Sequence, residues 1–249
     1  MPCPISIVMS RIVMPKVAMP ARSMSKRDEV LLQGTIIHDD DFQPLEGYIS
    51  IRDGVIREVG TGQVDADCEG IVCPRFVNSH IHLGDSAFKD PPFLPLSQLV
   101  GPGGYKTRLL NETPRESLIE GIRRSLAQMV DSGTYVFADF REGGEEGIRM
   151  LEEGARDMPL LMRIFGRPAQ GEIKTPEGCY GLGISSTRDY DPNTVQRMVT
   201  EARRERKAVA IHAGEAARDD IPDAFSLLPD HMVHMSRAEE SDLISVAGA

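Results

Sequence analysis

The stretch Asn78-Ser79-His80-Ile81-His82-Leu83-Gly84 closes an apolar run that begins near Ile71, and it carries two histidines separated by one residue. Side chains alternate faces along a β-strand, so residues i and i+2 stand side by side. Both ring nitrogens can then reach one divalent ion at the about 2.0–2.1 Å of a Zn–N bond. The pair therefore reads as half a metal site, although as an isolated pattern it also describes two surface histidines.

Two downstream runs end the same way: Lys207-Ala-Val-Ala-Ile-His212-Ala-Gly-Glu215 and Asp230-His231-Met-Val-His234-Met. Each is a short β-rich run followed by a helical pattern, the signature of a buried parallel strand. Chemistry in α/β barrels gathers at the C-terminal ends of such strands. His80, His82, His212 and His234, four of the six histidines, fall at expected strand ends. His231 sits at its strand's beginning and reads as structural. His38, beside Asp39, Asp40 and Asp41, reads as a turn residue.

The rest of the chain keeps a strand–helix rhythm. Thr113-Pro114-Arg115-Glu116 has a capping-box pattern, and Leu118, Ile122, Leu126 and Met129 form one apolar stripe ending at Gly133. Strands are expected at Thr134–Phe140, Pro159–Phe165 and Tyr180–Ser185, with Asp191-Pro192 opening the helix that leads to the His212 strand. This is the βα alternation of a parallel barrel. Before it, Gly34–His38, Gly47–Ile51 and Val55–Val59 read as short strands, with a hairpin turn at Asp53-Gly54. The long loop from Gly84 to Glu112 reads either as a lid, with Lys106 or Arg108 touching substrate, or as a solvated loop with ordinary surface cations. Asp139 and Arg141 at the second strand end are either substrate contacts or turn caps.

With Cys73-Pro-Arg-Phe-Val-Asn-Ser-His80-Ile-His82-Leu, Ile211-His212-Ala-Gly-Glu215 and Val233-His234-Met-Ser-Arg-Ala-Glu in place, the chain resembles the amidohydrolase superfamily, in its metal-dependent deaminase and chlorohydrolase branch. The resemblance implies an α/β fold, an incomplete TIM-type (β/α) barrel of about six βα units preceded by part of a small β-sandwich. It divides the chain into an N-terminal extension at 1–28, the partial sandwich at 29–70 and the barrel at 71–249. It implies His80, His82 and His212 as ligands of one divalent metal, zinc before iron, and water activated there for attack on a ring carbon bearing an amine or halide. Glu215 would carry protons, and His234 would hydrogen-bond the attacking water or the developing oxyanion. Glu215 also reads as a first-turn acid favouring a helix N-terminus. Two-metal relatives bridge their ions with a modified lysine or a glutamate near the fourth strand end. Here that end is Ser185-Ser186-Thr187, which favours one metal, unless Lys174 or Glu177 serves through a shifted register.

In similar proteins an aspartate at the end of an eighth strand is a further ligand and proton acceptor. This chain stops at Ala249, one helix after the sixth strand, so the expectation is a truncated barrel whose turnover is nearly lost, general-base catalysis being worth about 10²–10⁴. The expected activity is hydrolysis of a non-peptide C–N or C–halogen bond on a small heterocycle. The alternatives are a non-catalytic remnant of such an enzyme and a two-metal cyclic amidase.

Composition bounds the rest. At 249 residues and 41% apolar content the chain can build a barrel-sized core, and a net charge of −10 argues against a nucleic-acid partner and for a small-molecule substrate. No run reaches the roughly 18–20 apolar residues of a membrane span. Cys3, Cys68, Cys73 and Cys179 show no zinc-ribbon or secreted-disulfide spacing and read as free thiols of a cytoplasmic protein. The Met- and Pro-rich first 28 residues, with no acidic residue before Asp28, read as a flexible tail, with Met24 as a natural start. Open barrel edges offer a route to a homo-oligomer.

Overall fold

A computed structural model describes residues 29–39, 41–169 and 171–248, so the expected N-terminal extension and Cys3 lie outside the described residues. The chain divides into two compact units, one ending at Arg75 and one beginning at Phe76.

The first unit is a four-stranded sheet built from β1 (Glu29–His38), β2 (Gln43–Arg52), β3 (Val55–Thr61) and β4 (Cys68–Val72), in the order β3-β2-β1-β4. β1 and β2 pair antiparallel from Glu29↔Arg52 to His38↔Gln43, and β4 runs parallel to β1. Asp53 and Gly54 both take positive φ, 53° and 72°, the conformation that lets a two-residue turn follow the twist of β2 and β3. Ile36, Ile49 and Ile51 form its core, with Leu32, Ile56 and Val72 against them. His38 ends β1 and its Nδ1 pairs with Asp39 at 2.7 Å.

β4 departs from the sequence expectation. The apolar run from Ile71 reads as one barrel strand, but Ile71 and Val72 pair with Thr35 and Ile36 of β1. The first barrel strand is β5 (Phe76–Ile81). Pro74 lies between the two and has no N–H to give to a ladder, so the run is split between two sheets.

The second unit is an all-parallel sheet of β5, β6 (Thr134–Arg141), β7 (Leu161–Gly166), β8 (Gly181–Ile184), β9 (Ala208–Ala213) and β10 (His231–His234), in sequential order. The helices are α1 (Leu96–Leu99), α2 (Tyr105–Glu112), α3 (Arg115–Asp131), α4 (Gly144–Gly154), α5 (Pro192–Arg204), α6 (Ile221–Ser226) and α7 (Glu240–Ala247). β5 and β10 are the sheet's two edges, five steps apart, which is about 24 Å in a flat sheet. Yet the rings of His80 on β5 and His234 on β10 are 5.0 Å apart. The sheet is therefore curled into an incomplete TIM-type barrel, with its two edges brought toward one another.

Alternation along the strands separates two sets of side chains. Phe137, Ile164, Leu182, Val209 and Ile211 pack outward on the helices, where Leu118, Ile122, Leu126 and Met129 of α3 and Val195, Met198, Val199 and Ala202 of α5 are buried. Each fully buried large aliphatic or aromatic side chain in this shell contributes about 1.5–3 kcal/mol. Phe140, Phe165 and Ala210 turn inward with Ala138, Ala208 and Val233. Asp191 caps α5 as expected, its Oδ1 accepting from Asn193 and Thr194 N–H. The capping box at Thr113 does not form: Thr113 ends α2, donating its N–H to the Leu109 carbonyl at 3.0 Å, and Pro114 precedes α3 without a side-chain cap. Among the described residues no helix is long and apolar enough to cross a membrane.

Candidate metal centre

Four imidazoles converge at the C-terminal ends of β5, β9 and β10. Nε2 of His80 lies 3.2 Å from Nε2 of His82 and 3.1 Å from Nε2 of His212. The ring of His234 is 5.0 Å from that of His80 and 5.2 Å from that of His212. His80, His212 and His234 also present ligand atoms that all lie within 4.8 Å of one another. His80 is thus common to both groupings.

Backbone carbonyls orient two of the rings. Nδ1–H of His82 donates to the Phe140 carbonyl at 3.1 Å, and Nδ1–H of His212 donates to the Ile184 carbonyl at 2.9 Å. With the proton on Nδ1, each Nε2 offers a lone pair to the shared space. Nε2 of His80, beside both, either donates its proton to one of these lone pairs or shares a cation with them. Two nitrogens bound to one ion at about 2.0–2.1 Å with near-tetrahedral angles stand about 3.3 Å apart, so the observed spacings fit a shared divalent ion.

The surroundings favour the neutral form of two of the rings. Burial first, and then the neighbouring His82, His234 and Lys106, hold His80 down to about 4. Burial takes His212 to about 3, against the opposing effect of its bond to Ile184. Phe140 packs against the rings: it meets His212 edge-on at 4.7 Å and His80 at 5.1 Å, and it stacks on Phe165 at 5.0 Å. A cavity of about 600 Å³ opens beside His80 and His234, lined also by Arg163, Phe165, Tyr180 and His231. That volume suits a small molecule. His231 packs edge-on against Phe165 at 5.5 Å, at the start of β10.

Glu215 lies on the turn leaving β9, where Gly214 takes φ +67° and bends the chain sharply. Its Oε2 is 3.4 Å from Nε2 of His234, with 41% of its side chain exposed. His234 and Met235 take φ of 72° and 52°, a left-handed conformation costly for residues with a Cβ. Bonds from Met235 N–H to the Ala213 carbonyl and Arg237 N–H to the Gly214 carbonyl, both 2.9 Å, hold this turn to the end of β9.

Asp139 and Arg141 are buried structural groups. Asp139 accepts the Leu83 N–H at 2.7 Å and so fastens the turn after His82; burial, opposed by Arg141 and this bond, pushes its carboxyl up to about 6. Arg141 Nε donates to the Gly147 carbonyl at 2.8 Å. Lys106 is 12% exposed and occupied by Asp85 and Glu142, at 3.0 and 2.6 Å, rather than turned to a substrate. Lys174 is exposed and pairs with Glu177 at 3.4 Å. Sequence reasoning passed over Glu142, whose Oε1 stands 3.2 Å from Nδ1 of His82. In sequence it belongs to an Arg-Glu-Gly-Gly turn, and nothing local marks it as buried.

Residues 71–249 match the family model described as "Amidohydrolase family". A protein of Archaeoglobus fulgidus named "Putative aminohydrolase" is 36% identical over 170 residues, which cover 68% of this chain and 50% of that protein. A 5′-deoxyadenosine deaminase of Methanococcoides burtonii is 32% identical over 114 residues, covering 43% of this chain and 26% of its own. The chain spans about half the length of the aminohydrolase-named relatives it matches. Among solved structures, a mutant atrazine chlorohydrolase of Arthrobacter aurescens complexed with zinc and atraton superposes with a TM-score of 0.53 at 18% identity, covering 74% of this chain and 52% of that one. That likeness is one of fold. Since the family match takes in every strand of the barrel and all four converging histidines, the chain belongs to the amidohydrolase family.

Proposed function

We propose that the protein is a mononuclear metal-dependent hydrolase that cleaves a C–N or C–halogen bond of a small heterocycle, with His80, His82 and His212 as ligands. The observation carrying this reading is the approach of Nε2 of His80 to within 3.2 Å of Nε2 of both His82 and His212. A divalent ion held there would lower the pKa of a bound water toward about 7 and supply a nucleophile at neutral pH. All-nitrogen donors of this kind suit zinc ahead of iron.

The chain's own residues divide the remaining work. Neutral His80 and His212 keep their lone pairs for the cation. The His234–Glu215 pair, at 3.4 Å, is the proton-handling couple: Glu215 carries one proton from the attacking water to a ring nitrogen and a second from the added hydroxyl to a departing amine, a halide leaving without one, while His234 faces the attacking oxygen. Phe140 and Phe165 line the cavity beside the rings. The exposed Lys174–Glu177 pair and the engagement of the Ile184 carbonyl by His212 support one ion over two. The named deaminase and chlorohydrolase similarities support displacement at an electron-poor ring carbon.

We further propose a small molecule as the substrate partner, self-association through β5 and β10 at the sheet edges, and a cytoplasmic setting, in keeping with the free thiols Cys68, Cys73 and Cys179. The test is metal analysis of the purified chain with an ammonia-release assay over aminated purines and triazines. About one equivalent of zinc with EDTA-sensitive release supports the reading. A chain that takes up no zinc, or two equivalents, rejects it.

A further inference from the structure

Glu142 follows β6, and its carboxylate is only 13% exposed, a costly place for a charge unless partners meet it. Three do. Nδ1 of His82 stands 3.2 Å from Oε1, Nζ of Lys106 stands 2.6 Å from it, and Nη2 of Arg167 stands 3.9 Å away. Lys106, from α2, also reaches Asp85 of the short 3₁₀ turn after His82, at 3.0 Å. A strand end, a helix and a turn thus meet on one carboxylate at the back of the His82 ring, opposite the nitrogen that faces His80.

A carboxylate beside the free nitrogen of a ligating histidine raises its basicity, and Glu142 does so through its charge, the ring N–H itself going to the Phe140 carbonyl. The Phe140 carbonyl, 3.1 Å from the same N–H, supplies the direction but only a dipole. Glu142 adds a full negative charge in a buried setting, where it is weakly screened. Lys106 shares that charge and ties α2 to the ligand.

We propose, on the ligand assignment above, that Glu142 is a positioning residue: its charge polarises His82 toward the cation and couples that ligand, through Lys106, to the α2 segment. Cobalt affinity by chelator competition and the zinc-induced shift in melting temperature test this on the full chain, for the parent, Glu142→Gln, Glu142→Asp and the control His80→Ala. The expected result is cobalt binding about 10–100-fold weaker in Glu142→Gln, with a smaller zinc shift. Glu142→Asp keeps the charge beside Lys106 but withdraws it by one methylene, and should show a smaller loss in the same direction. A residue that only stabilises the fold would lower the metal-free melting temperature yet leave cobalt affinity unchanged; that result overturns the proposal. Should Glu142→Gln not fold, Glu142→Asp decides, weaker cobalt binding supporting the proposal and parental affinity overturning it. A parent chain no better at binding cobalt than His80→Ala would refute the ligand assignment itself.

Discussion

His80 and His212 are 132 positions apart in the chain, and their Nε2 atoms stand 3.1 Å apart. Everything between them serves that approach. β5 through β9 run parallel and in sequence, curl, and deliver both rings to one end. Because His80 also touches His82, its removal should cost more than any outer partner. His80→Ala is expected to lose zinc by more than the about 10–100-fold typical of a lost outer hydrogen bond, as read by equilibrium dialysis. Retention of parental affinity would mean that the ion, if bound, sits elsewhere.

On the proposed division of roles, Glu215 moves protons and does not hold metal. Glu215→Gln should leave the zinc content at that of the parent while slowing ammonia release by about 10²–10⁴. Paired metal analysis and rate measurement separate the two effects. Loss of zinc in this variant would make Glu215 a ligand and undo the division of roles.

The turn after His82 hangs on Asp139. Asp139→Ala leaves the buried Leu83 N–H without its acceptor and should cost about 1–3 kcal/mol in urea unfolding. Asp139→Asn keeps an oxygen for that N–H and relieves a buried charge, so it should cost less. Equal losses in the two variants would count against the 2.7 Å bond as the cause.

Gly121 gives a case where two magnitudes compete. It lies inside α3, where alanine is favoured by about 0.8–1.0 kcal/mol on propensity alone. A Cβ there, however, would stand 2.6 Å from the backbone nitrogen of Ala87, in the turn that follows His82. Overpacking against backbone costs about 1–3 kcal/mol, so Gly121→Ala should destabilise the fold, as chemical unfolding would show. A stabilised variant would mean that α3 and this turn are not in close contact.

The pH response follows from the depressed histidines. In the folded metal-free chain His80 titrates near 4 and His212 near 3, whereas an unfolded imidazole titrates near 6.5. Between those values the unfolded chain binds more protons, so stability is full above 6.5 and falls as pH drops. Asp139, raised from 3.8 to about 6, and Asp85, also raised by burial, work in the opposite direction, but they titrate mostly below the window in which the two histidines first gain protons in the unfolded chain. The urea midpoint of the metal-free chain should therefore decline from about pH 7 to about pH 5. A flat profile would contradict the burial of these rings.

Much of this was legible in the sequence because it rests on short-range periodicity. Alternation placed His80 and His82 on one face, and apolar runs ending in His212 and His234 announced strand ends. Where a segment's partner lies far away in sequence, local pattern misleads. Ile71 and Val72 look continuous with the His80 strand, but β1 claims them, and Pro74 is the visible break. Thr113 fits a capping box, yet the end of α2 already uses its backbone. Glu142 looks like a surface acid because its partners, Lys106 and His82, lie 36 and 60 residues before it.

The most direct test is X-ray absorption at the zinc edge of the loaded chain. The account predicts one ion with three imidazole nitrogens at about 2.0–2.1 Å, and the loss of one of them in His212→Ala. A first shell with fewer than two imidazoles, or a second metal nearby, would contradict it.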